Sequence, residues 1–75
     1  MKPYRNRSGR SGVAAYDSGD GFIRVRFVRD GTYEYTDARP GRQHVRNMQA
    51  LAAAGLGLST YISRFVRERY ARKLD

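Results

Sequence analysis

The chain has 75 residues, no cysteine and one histidine, and its fifteen basic residues outnumber seven acidic ones for a formal net charge of +8. That length supports one small domain with little apolar surface to bury. The missing cysteines exclude a disulfide staple and a thiolate metal site, and His44 alone cannot build a zinc site without carboxylates, so no cofactor is expected. Only Lys2 and Lys73 are lysine; the other basic residues are arginine. The guanidinium fork binds phosphate or carboxylate bidentately and stacks on aromatic faces, although a genome rich in G and C would give the same bias through its codons. No apolar run approaches the roughly 20 residues that cross a membrane, and the start of the chain lacks the apolar core of a signal peptide. A soluble cytoplasmic protein without a membrane partner is the expectation.

Residues 1–12 read as a flexible basic arm. Lys2, Arg5, Arg7 and Arg10 occur there without an acidic residue, among Ser8, Gly9, Ser11 and Gly12. Nothing in this stretch alternates or recurs at helical spacing, so ordering it would lose entropy with little burial in return. Residues 13–75 read as a single domain. Val13 to Asp17 suits a first strand, with Val13, Ala15 and Asp17 on one face and Ala14 and Tyr16 on the other, and Ser18-Gly19-Asp20-Gly21 suits a turn.

The strongest pattern follows. In the stretch Phe22 to Val28, period two groups Ile23, Val25 and Phe27 on one face and turns Arg24 and Arg26 to the other. Tyr33 and Tyr35 alternate with Glu34 after a turn, which makes Phe22–Thr36 a hairpin. A two-residue Asp30-Gly31 loop would set Phe27 opposite Glu34 and put a carboxylate on the apolar face. A three-residue Arg29-Asp30-Gly31 loop sets Phe27 opposite Tyr33, Val25 opposite Tyr35 and Arg26 opposite Glu34, and is preferred because every pair then matches in polarity.

Pro40 fits the first turn of a helix, in which Val45, Met48 and Ala52 recur at helical spacing up to a stop at Gly55. Ser59 or Gly57 can cap a second helix. Its apolar stripe is Leu58, Tyr61, Ile62, Phe65, Val66 and Tyr70, with Arg64, Arg67 and Glu68 opposite and Arg72 near the end. The expected architecture is α+β, a three-stranded antiparallel sheet followed by two short α-helices that pack on one of its faces.

Ile23, Val25, Phe27, Gly31, Tyr33 and Tyr35, preceded by Tyr16-Asp17 and followed by Ala38, Pro40, Val66 and Tyr70, resemble the KTSC domain family, small domains also found at the C-terminus of some lysyl-tRNA synthetases. The likeness covers roughly Ser11 to Tyr70. The family commonly has a Ser, a Gly and then an aromatic followed by Asn where this chain has Gly57, Ser59, Tyr61, Ile62 and Ser63, so that stretch departs from the pattern. The resemblance implies the α+β architecture, and attachment to a tRNA synthetase implies a module that touches RNA.

Catalysis has little support. There is no Cys nucleophile, no metal-ligand cluster and no glycine-rich phosphate loop between a strand and a helix. His44 in a basic first turn reads as a surface histidine, and no base pairs on paper with Ser59, Ser63 or Tyr61. A non-enzymatic module is therefore expected, binding nucleic acid weakly and in a salt-dependent way. Its candidate contacts are Arg5, Arg7 and Arg10 on the arm, Arg24 and Arg26 on the strand, and Arg64 and Arg67 on the second helix. Tyr4 and Phe22 are candidates to stack on unpaired bases. The alternative is a protein-interaction module that docks on an acidic partner or self-associates. The discriminating features are whether the arginines share one face and whether Tyr61 and Phe65 are left exposed.

Overall fold

Alternating apolar residues from Ile23 to Tyr35 give the sheet one greasy face, and everything else is arranged to cover it. The computed structural model describes all residues 1–75 and is a small α+β domain. Strands β1 (Lys2–Pro3), β2 (Val13–Gly19), β3 (Phe22–Phe27), β4 (Gly31–Thr36) and β5 (Arg72–Lys73) form one antiparallel sheet in sequence order. Helix α1 (Arg42–Ala54) and the short α2 (Leu58–Tyr61), which runs on into a π-helical turn (Ile62–Val66), supply the second layer. The core between the layers joins Ile23, Val25 and Tyr35 of the sheet to Val45, Met48 and Ala52 of α1 and to Leu58, Ile62 and Val66 beyond it.

The sheet has five strands where three are expected. The two additions are two-residue edge strands, too short to show alternation, and each is defined only by its pairing: Lys2 with Tyr16, and Arg72 with Glu34. The N-terminal stretch is correspondingly not a loose arm. Tyr4 is in the core with 6% of its surface exposed, and its hydroxyl accepts the Leu58 N–H at 3.2 Å. Further along, the Arg7 N–H donates to the Gly55 carbonyl at 2.8 Å. One buried aromatic residue among polar ones leaves no periodic signal, yet with the β1 pairing and the Arg7 bond it anchors the segment.

The β3–β4 loop has the expected length, but it is Val28-Arg29-Asp30, and the pairing is Ile23 with Tyr35, Arg24 with Glu34 and Val25 with Tyr33. Relative to the expected pairing the register moves by two residues. Such a shift keeps every side chain on its face, so polarity matching alone could not choose between the two. Gly31, at φ 82°, starts β4 rather than ending the loop. A Cβ there would come within 2.8 Å of the Asp75 backbone oxygen.

A bulge between Val13 and Ala15 changes the faces of β2. Val13 lies opposite Phe27 and Tyr16 opposite Val25, so both join the core side, while Ala15 and Asp17 turn outward beside Arg26 and Arg24. An extra residue of this kind is invisible to a strict period-two reading.

Pro40 precedes α1 instead of opening it: Gly41 is the cap residue and the helix begins at Arg42. Val45, Met48 and Ala52 form its buried stripe, and Gly55, left-handed at φ 73°, ends it. Gln49 fixes α1 on the sheet by donating to the carbonyls of Gly19 and Phe22, both at 2.8 Å. Gly57 caps α2. The second helix does not reach Tyr70. It widens into the π turn and stops at Arg67, whose φ of 51° turns the chain back toward β5.

Candidate nucleic-acid interface

Since Ile23 and Val25 face the helices, Arg24 and Arg26 stand on the open face of the sheet. Register places Ala15, Asp17, Phe22, Thr32, Glu34, Thr36 and Arg72 on that same face. Glu34 is its electrostatic centre. One carboxylate oxygen accepts from Arg24 Nε at 2.7 Å and the other from Arg72 Nε at 2.9 Å. The Glu34 side chain is only 9% exposed, against 37% for Arg24 and 63% for Arg72. Hydrogen bonds from Arg24 first, and then from Arg72, hold its carboxyl below the ordinary glutamate range, against the opposing effect of burial. Two guanidinium groups on one carboxylate leave a net positive charge, and the Arg24 guanidinium also lies 4.8 Å from the centre of the half-buried Phe22 ring. Arg26, expected opposite Glu34, is exposed and has no carboxylate partner.

The seven candidate arginines do not share one face. Arg24 and Arg26 are neighbours on the open sheet face. Arg64 and Arg67 belong to the helical layer on the other side, and both are exposed. Arg64 and Glu68, four residues apart, form no ion pair, since Glu68 lies beyond the end of the π turn. Arg5 lies over Gly55, where a Cβ would meet the Arg5 side chain, so it belongs to the end of α1. Arg7 and Arg10 are exposed in the loop that leads into β2. The contribution of Arg72 was not legible, since it reads as the end of a helix until the Arg67 turn is known. Of the two candidate stacking residues, Tyr4 is removed by burial and Phe22 remains.

On the helical side Tyr61 is half-buried, and its hydroxyl accepts from Asn47 Nδ2 at 2.9 Å and lies 2.8 Å from His44 Nδ1. His44 is thus part of the joint between α1 and α2 and not a free surface group. Phe65 packs its ring 5.0 Å from that of Tyr61, yet 52% of it is exposed.

A second constellation lies where the hairpin tip meets the π turn. Phe27, Tyr33 and Tyr70 form a row of half-buried rings, Tyr33 standing 5.7 Å from Phe27 and 4.7 Å from Tyr70. The Tyr33 hydroxyl donates to Asp30 Oδ2 at 2.8 Å, and that carboxylate's acceptance of the phenol proton raises the tyrosine's pKa. Lys73 Nζ lies 5.5 Å from the Tyr33 ring centre and 3.8 Å from Asp30. Tyr35, beneath the row, is fully buried, and loss of solvation pushes its phenol well above the ordinary range.

The chain matches no family model, no curated protein and no solved structure.

Proposed function

We propose that this domain is a small, non-enzymatic polyanion-binding module whose ligand is nucleic acid, held weakly and in a salt-dependent way by the open face of the sheet. The observation that carries the reading is the shortage of internal counter-charge. Only Arg24, Arg72 and Lys73 lie within salt-bridge distance of a carboxylate, in a chain of net charge +8. Solvated guanidinium groups gain most from a dense line of phosphates, because binding releases the condensed counterions. Arg26 is such a group on the open sheet face, and Arg24 and Arg72, which share the single Glu34 carboxylate, add to the positive charge beside it, with Phe22 next to Arg24. The resemblance to the KTSC family belongs to the same reading, and with it a role near RNA.

Fluorescence anisotropy with labelled single- and double-stranded RNA and DNA tests this. Arg26→Gln is the cleanest probe, since Arg26 supports no internal ion pair. It should weaken binding to every nucleic acid by a similar factor, as loss of a phosphate contact does. Unchanged affinity would reject the sheet face.

A second reading, a protein-interaction or self-associating module, is favoured by the exposed Phe65 ring. Sedimentation equilibrium at low and high protein concentration distinguishes self-association, which Phe65→Ser should then abolish.

A further inference from the structure

The row of Phe27, Tyr33 and Tyr70 lies along a cleft of about 390 Å³ between the hairpin tip and the π turn. That volume is within the range of small-ligand sites, roughly 300–1,000 Å³. Arg67, Ser63 and Glu68 line its helical side. Two features of that wall are unusual. A π-helical turn interrupts what would otherwise be a plain helix, a device frequent at functional sites. Arg67 then takes a φ of 51° and ψ of −120°, a conformation that favours glycine. The sequence keeps a long cationic side chain there.

We infer that this cleft is a stacking site for a single unpaired nucleobase, with Arg67 and Lys73 holding the flanking phosphates. The inference rests on the nucleic-acid reading above and adds to it a preference for single strands. Each aromatic ring offers a face to any base, so a row of half-exposed rings beside cations suits a splayed-out strand and not a closed duplex. The edge strand β5 joins the two regions. Register turns Arg72 to the open face beside Glu34 and Lys73 to the opposite face, where its Nζ lies 5.5 Å from the Tyr33 ring at the rim of the cleft, so a backbone passing over this edge meets a cation on each side. Asp30 is already bonded to Tyr33, and Glu68 is an acceptor for the amino edge of a base. These two carboxylates would also suit a cationic ligand held by the rings, but the chain's net charge of +8 opposes its approach over longer range and favours a polyanion.

The test uses a ten-nucleotide single-stranded RNA carrying 2-aminopurine, read by its fluorescence, and the corresponding duplex, read by anisotropy. In the wild-type protein, single-strand binding should exceed duplex binding and quench the probe. Tyr70→Leu should weaken the single strand on the order of tenfold, the loss expected for one stacked base, and leave the duplex unchanged. Tyr70→Phe, which keeps the ring, should behave as wild type. Ser63→Leu fills the cleft from an exposed position without touching the core and should reproduce the Tyr70→Leu result, which guards against a folding defect in the latter. If Arg26→Gln weakens both forms while Tyr70→Leu and Ser63→Leu change neither, the cleft proposal is overturned and the sheet-face reading survives. If no nucleic acid binds, both fall. Preferential capture of an arginine-rich peptide, lost in Tyr70→Leu, would overturn the base site in favour of a cation site.

Discussion

Glu34 shows how one side chain can tie the sheet together and leave it basic. Both of its oxygens are occupied by guanidinium groups from strands on either side, so the carboxylate is satisfied despite its burial. Because its carboxyl titrates below the ordinary value of 4.5 in the folded state, the unfolded chain takes up a proton first as the pH falls. The stability from this group is therefore complete above about pH 5 and is lost through and below pH 4.5. Glu34→Gln should lower stability by about 1–2 kcal/mol at neutral pH, the range for charge-assisted bonds to partly exposed partners. Thermal unfolding of the two proteins from pH 7 to pH 3 should converge at the acid end, and parallel curves would contradict this account. The same residue shows what sequence patterning leaves open. The alternation of Tyr33, Glu34 and Tyr35 puts Glu34 on the polar face, but with arginine at both 24 and 26 the pattern cannot choose its partner.

At the scale of elements, the informative cases are the two ends of the chain. The hairpin, the buried stripe of α1 and the glycine that ends that helix are all legible, because each is carried by a local repeat or a local turn requirement. β1 and β5 are not, because a two-residue strand is specified entirely by what it meets across space. Tyr4 makes the point measurable. Its hydroxyl satisfies an N–H at the start of α2, a helix whose cap residue, Gly57, offers no side chain. Tyr4→Phe should cost about 1 kcal/mol, an unsatisfied buried donor, and Tyr4→Ala about 3–5 kcal/mol, an emptied core site. Chemical denaturation measures both. A loose arm would instead show no change for either. The apolar stripe of the second helix is legible up to Val66, but only Leu58–Tyr61 is α-helical and Ile62–Val66 is a π turn that no local pattern marks. Tyr70 falls at helical spacing from Val66 but reaches the core side by way of the Arg67 turn and not by helix continuation.

The whole molecule measures about 31 × 24 × 23 Å, so no basic side chain is far from any other, but the two layers divide them. The sequence supplies the number of arginines and their strand parity, and hence the Arg24–Arg26 pair. It does not supply the separation of Arg64 from that pair or the arrival of Arg72 beside Glu34, which follow from topology. The central claim is that the open sheet face binds the nucleic-acid backbone. The most direct test is the salt dependence of single-strand affinity for the wild type, Arg26→Gln and Arg64→Gln. At roughly 0.7 per phosphate contact on a single strand, the three open-face arginines contribute about −2 to the slope of log K against log salt, and any contacts at the cleft add to it. The account predicts a slope at least that steep for the wild type, a reduction of about 0.7 in Arg26→Gln, and no reduction in Arg64→Gln. Absence of binding, or equal reductions in the two variants, would contradict it.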